Sequence, residues 1–120
     1  MPFNILLLEN CIDMESLVTL ILEDEGFIVS TTNFTSILKD SLLFQPDLVI
    51  LSPRLRTFKE INLLCKNLRA QFPKLILPII FISKRFDLEK FAEQCCASAY
   101  VSKPFGNTDL CNTVKDVLSI

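Results

Sequence analysis

The sequence contains no histidine and no tryptophan, one tyrosine and only two glycines. Each shortage excludes a class of chemistry. Without histidine there is no Ser-His or Cys-His pair to activate a nucleophile. There is no imidazole to complete a zinc site, and the five cysteines at 11, 65, 95, 96 and 111 fit no zinc spacing. Nor can the chain donate phosphate from a histidine. Two glycines are too few for a glycine-rich loop around a nucleotide or flavin phosphate. No apolar run approaches the ~20 residues that span a bilayer. The opening segment MPFNILLLEN has neither the basic start nor the small-residue cleavage site of a secretory signal. Its apolar run reads as a first strand.

What is present suits a single globular domain over residues 1–120. Half of the residues are hydrophobic, enough for one core in a chain of 120. The net charge is -2, which favours neither nucleic acid nor membrane as a partner. A cytoplasmic location is expected. Cys65, Cys95 and Cys111 fall on apolar faces of predicted helices and read as small buried hydrophobes. Cys11 and the adjacent Cys95-Cys96 are the candidate redox residues, although neighbouring cysteines can form only strained bridges.

Short apolar runs alternate with helical patterns. Residues 4–8 read as a buried strand. Met14, Leu17, Val18, Ile21 and Leu22 then recur at helical spacing, with Gly26 as the stop. Residues 27–31 are a second strand. Asn33 is placed to cap a helix whose inward face is Phe34, Ile37, Leu38 and Leu42, ended by Pro46. Residues 47–51 form a third strand with no polar alternation, as expected when both faces are covered. Thr57 and Glu60 have capping-box spacing ahead of Ile61, Leu64, Cys65 and Leu68, and Pro73 closes that helix. Residues 78–83 are a fourth strand. Leu88, Phe91, Ala92 and Cys95 mark a helix, residues 99–102 a fifth strand. Asn107 is placed to cap a last helix carrying Leu110, Val114, Val117 and Leu118.

This is an α/β pattern, (βα)5, implying a parallel sheet with helices on both faces. Right-handed crossovers leave a few open, doubly wound forms, here the flavodoxin-like one with strand order 2-1-3-4-5. In such sheets the site lies beyond the carboxyl ends of the strands. Those ends supply Glu9 and Asn10, then Ser52, Ser83 and Lys103.

Five segments in order, ILLLEN, DEGFIV, QPDLVIL, PIIFIS and YVSKPF, resemble the receiver domain of bacterial response regulators along the whole chain. In that family two acids after strand 1 and an aspartate after strand 3 hold Mg²⁺, and the strand-3 aspartate accepts phosphate. A Ser or Thr after strand 4 and a Lys after strand 5 bind that phosphate, and an aromatic on strand 5 moves with it. The resemblance assigns the latter roles to Ser83, Lys103 and Tyr100. Pro104 matches the proline after the lysine, where the family's peptide bond is usually cis. Glu9 keeps the first acid. Asn10 replaces the second, and Ser52 replaces the phosphate acceptor. The following loop departs too, with Arg56 and Glu60 where the family has a proline and a glycine. Cys96 stands where a glycine usually precedes the fifth strand.

The resemblance therefore implies a degenerate pseudo-receiver. One carboxylate, one amide and one hydroxyl are a poor donor set for Mg²⁺, so no cofactor is expected. A serine hydroxyl needs a base, and Glu9 is the only candidate. Glu9 and Lys103 are instead expected to pair directly, without a metal. Arg54, Arg56, Lys84 and Arg85 gather near the same edge and are candidate anion-binding residues. The expected function is a non-enzymatic protein-interaction module in two-component-type signalling, independent of aspartyl phosphorylation. Its partner is another protein or a second copy, met through the fourth helix, fifth strand and fifth helix. The alternative is a redox- or anion-responsive sensor on the same fold.

Overall fold

The computed structural model describes residues 2–54, 56–74, 76–84, 87–103 and 105–120, apart from the side chain of Asn107. Five strands alternate with five helices: β1 (Asn4–Leu8), α1 (Ile12–Asp24), β2 (Ile28–Thr32), α2 (Ile37–Phe44), β3 (Leu48–Leu51), α3 (Phe58–Ala70), β4 (Ile79–Ser83), α4 (Leu88–Gln94), β5 (Ala99–Ser102) and α5 (Asn107–Leu118). All strand pairs are parallel, in the order β2-β1-β3-β4-β5. That is the expected doubly wound sheet, with the strand order reversing between β1 and β3.

The central strands β1, β3 and β4 are buried on both faces, the edge strands β2 and β5 only in part, and residue parity decides which core each side chain joins. Leu6, Leu8, Val49, Leu51, Ile79 and Phe81 pack with Ile37, Ile61, Leu64, Leu68 and Phe91 beneath α2, α3 and α4. Ile5, Leu7, Leu48, Ile50, Ile80, Ile82 and Val101 pack with Val18, Ile21, Leu22, Leu110 and Val114 beneath α1 and α5. The uninterrupted apolar strands follow from this double burial.

The helix ends carry the expected chemistry in part. Thr57 and Glu60 form a reciprocal capping box at the start of α3. This bond from the Thr57 backbone holds the Glu60 carboxyl below the usual carboxylate range. α1 ends with Gly26 at φ +93, its N–H on the Glu23 carbonyl and the Phe27 N–H on that of Leu22. Four expectations change. Asn33 Oδ1 accepts from the Ser36 N–H at 2.9 Å, closing a turn before α2 instead of capping it. Leu42 and Leu17 are exposed, not inward. Facing inward with Ile37 on α2 is Ser41, fully buried, whose hydroxyl donates to Gln71 Oε1 at 2.6 Å just past the end of α3. A buried hydroxyl with a partner substitutes for the leucine one step on. At α5 the residue flanking the helix is Gly106, whose N–H donates to the Asp109 carboxylate at 3.3 Å, not Asn107.

Cys96 explains how the chain manages without a glycine before β5. It occupies the same left-handed position after α4 that Gly26 occupies after α1, with φ +56. Its N–H reaches the Glu93 carbonyl and the Ala97 N–H that of Ala92. Arg69 donates to the carbonyls of Cys95 and Cys96 at 3.2 and 2.6 Å, placing a cation at the C-terminal end of α4. A left-handed residue with a Cβ is strained by about 1–2 kcal/mol, and glycine's greater freedom when unfolded returns about 0.5–1. Cys96→Gly should therefore stabilise the fold by about 0.5–1 kcal/mol, read as a raised urea midpoint at unchanged slope. Cys96→Ala should show no such gain.

Candidate functional site

The site forms where four strands end. The Ser52 N–H donates to the Leu8 carbonyl at 2.9 Å and the Lys103 N–H to the Ser83 carbonyl at 2.9 Å, so each ladder continues one residue past its strand. Glu9, Ser52 and Lys103 continue the parity of Leu7, Ile50 and Val101, which face α1 and α5. Alternation thus brings three residues, 94 positions apart at the extremes, to one face at one level.

Glu9 and Lys103 meet directly. Lys103 Nζ lies 2.7 Å from Glu9 Oε2, and the side chains are 5% and 0% exposed. Glu9 Oε1 accepts the Cys11 N–H at 3.1 Å, so both carboxylate oxygens are engaged. A buried carboxylate is costly unless paired and hydrogen-bonded, and here it is both. Ser52 is fully buried, yet its Oγ has no hydrogen-bond partner. An orphaned buried hydroxyl costs about 1–3 kcal/mol, so nothing in the packing of this chain calls for serine over alanine.

The other site residues divide. Ser83 is buried and lines a cavity of about 290 Å³ together with Cys11, Met14, Arg54, Lys84 and Lys103. Asn10 is exposed and does not join Glu9. Its Nδ2 donates to the Arg54 carbonyl at 3.0 Å, tying the loop after β3 to the end of β1. Arg56 does not line the cavity: its guanidinium lies 3.8 Å from the centre of the Phe34 ring and 3.4 Å from Glu60. The aromatic ring and the acid of the capping box draw it towards α2 and α3. Arg85 and Pro104 lie outside the described residues. Tyr100 stands 41% exposed on the edge strand, beside Glu89 and Glu93 of α4. Met14 was expected only as a core residue. Its place in the first turn of α1, directly after the β1 end, is the signal that would have assigned it to the cavity.

All five cysteines are free. Burial pushes the Cys65 thiol up to about 12. Burial also raises Cys95, partly offset by Arg69, and raises Cys111. A protonated buried thiol is a poor nucleophile. Cys96 is exposed and Cys11 half-buried at the cavity. The candidate redox residues are thus split between α1 and the end of α4, and among the described residues no three His, Cys, Asp or Glu side chains cluster to hold a metal.

No family model and no curated protein matches the sequence. Solved structures do resemble it. The chemotaxis protein CheY4 of Vibrio cholerae is 20% identical over 98% of this chain and 99% of that one, with TM-score 0.81. The receiver domain of NtrX from Brucella abortus is 27% identical over 96% and 98%, with TM-score 0.78. The N-terminal domain of the nisin resistance regulator NsrR is 27% identical over 98% and 99%, with TM-score 0.80. The fold is that of response regulator receiver domains. Against a longer NtrX chain the match covers only 27% of its length. Among the described residues no helix is long and apolar enough to cross a membrane.

Two substitutions separate the roles of these groups. Ser52→Ala should be neutral or up to about 1 kcal/mol stabilising, because it removes an unpartnered hydroxyl. A clear loss in a chemical unfolding curve would mean that the hydroxyl is bonded. Lys103→Met should cost about 3–5 kcal/mol by stranding Glu9, and the double variant with Glu9→Gln should recover most of that loss.

Proposed function

We propose that this protein is a receiver-type signalling module that acts by binding another protein and is not switched by aspartyl phosphorylation. Its likeness to receiver domains supports a role in two-component-type signalling. The observation that carries the rest is the buried Glu9–Lys103 pair beside an unpartnered Ser52. In the family this chain resembles, an aspartate at the Ser52 position accepts phosphate and the lysine answers it. Here the lysine is already matched to Glu9.

The donor set does not fit Mg²⁺. That ion demands near-octahedral, hard oxygen ligands and dehydrates reluctantly. One oxygen of Glu9 is on Lys103 and the other on the Cys11 N–H. Asn10 is turned to the Arg54 carbonyl, and Ser52 offers only a neutral hydroxyl. The remaining acid is neutralised by a cation of the protein itself. No cofactor follows, and no catalytic step.

A non-enzymatic module must present a surface. The edge strand β5, flanked by α4 and α5, offers Tyr100 on its exposed side. A partner protein, or a second copy, bound along that edge is consistent with the resemblance. The test is a titration with Mg²⁺ and beryllofluoride, a mimic of aspartyl phosphate, followed by amide chemical shifts. The expected result is no shift at Ser52, Lys103 or Tyr100. A concerted, saturable shift of those amides would mean that another acid stands in for the aspartate, and the proposal would fall.

A further inference from the structure

The cavity at the ends of the strands carries positive charge that is only partly balanced among the described residues. Three cationic side chains line it, Arg54, Lys84 and Lys103, and no acidic side chain does so among the described residues. The charge of Lys103 is balanced by Glu9. Arg54 and Lys84 are exposed and make no ion pair among the described residues. The backbone of Arg54 is anchored, because the Asn10 amide donates to its carbonyl at 3.0 Å, and Lys84 directly follows the end of β4. Lys103 gives one of its three N–H donors to Glu9, and among the described residues the other two have no acceptor. An apolar part of the lining comes from Met14 in the first turn of α1 and from Cys11 just before that helix.

We infer that this cavity receives a glutamate or aspartate side chain of a partner polypeptide, held by Arg54 and Lys84 without a metal ion. This rests on the reading of the chain as a partner-binding module and names the chemistry of the partner. The charge is complementary: two uncompensated cations meet an anion. Arginine presents a planar fork that matches a carboxylate, and lysine adds a point charge. The apolar wall selects the carrier. A free inorganic ion would leave Met14 and Cys11 against water, whereas the methylenes of an acidic side chain cover them while its head group meets the cations. A volume of about 290 Å³ accommodates such a side chain and lies at the lower limit of pockets for larger ligands. Neither Arg54 nor Lys84 belongs to the motifs that resemble the receiver family, so the site is a property of this chain's own loops.

The whole chain, labelled for amide NMR and kept in EDTA without beryllofluoride, would be titrated separately with a blocked pentapeptide bearing a central Glu, with its Gln counterpart and with inorganic phosphate. The Glu peptide is expected to shift the amides of Cys11, Met14, Ser83 and Lys84 saturably, and less so at high salt. The Gln peptide should bind at least about tenfold more weakly, as should the Glu peptide with Arg54→Ala or Lys84→Ala, each a lost charge-assisted contact. Both substitutions are on exposed side chains, so unchanged spectra elsewhere will show that the fold is intact. Absence of saturable shifts with the Glu peptide overturns the inference. So do equal binding of the Glu and Gln peptides, wild-type binding by both variants, or binding of phosphate with none of the peptide. These outcomes do not depend on the beryllofluoride result, so failure here leaves the phosphorylation-independent reading standing.

Discussion

A carboxylate with no exposed surface cannot remain charged by itself, and Glu9 is such a carboxylate. Lys103 meets that constraint at 2.7 Å, and the backbone of Cys11 satisfies the second oxygen. The pair links the end of β1 to the end of β5 across β3 and β4. It fills with protein charge a place where the resembling family uses a metal and a phosphate. Asn10 holds the neighbouring loop through the Arg54 carbonyl, and Arg54 and Lys84 make no ion pair among the described residues. One buried ion pair thus lies at the centre of the candidate site.

The sheet makes that pair possible. Strict alternation sends Leu7, Ile50 and Val101 to the α1 and α5 side, and the next residues of the same parity are Glu9, Ser52 and Lys103. Two cores close over the two faces, and the polar strand ends lie beyond them. The helices are fixed to one another by a few polar ties. Arg69 joins α3 to the end of α4, and Lys115 joins α5 to Glu25 after α1 at 2.9 Å. The last is an exposed pair and contributes little to stability.

Much of this was legible from residues alone. Apolar runs of four with no alternation located the central strands β1, β3 and β4 to within one residue, because burial on both faces leaves a plain pattern. The capping box of α3 was legible for a similar reason: both partners lie within one turn. Two helix caps were misplaced by local turns, at Asn33 and Asn107, and two further expectations failed because the deciding partner was remote in sequence. Leu42 looked inward by helical spacing, but a serine bonded to Gln71, 30 residues away, took the inward position. Arg56 looked like part of a basic rim, but Phe34 drew it aside.

The sequence by itself determined the alternating architecture, the strand ends that converge, and the departures at Asn10, Ser52 and Cys96. These depend on local periodicity and on residue type, which need no knowledge of distant partners. Tertiary contacts were needed to show that Glu9 and Lys103 are buried together, that the Ser52 hydroxyl is left without a partner, and that Arg54 and Lys84 line a cavity with no acid among its described lining residues. Burial, hydrogen-bond satisfaction and uncompensated charge are properties of groups brought together by the fold, and 94 residues separate the two that matter most.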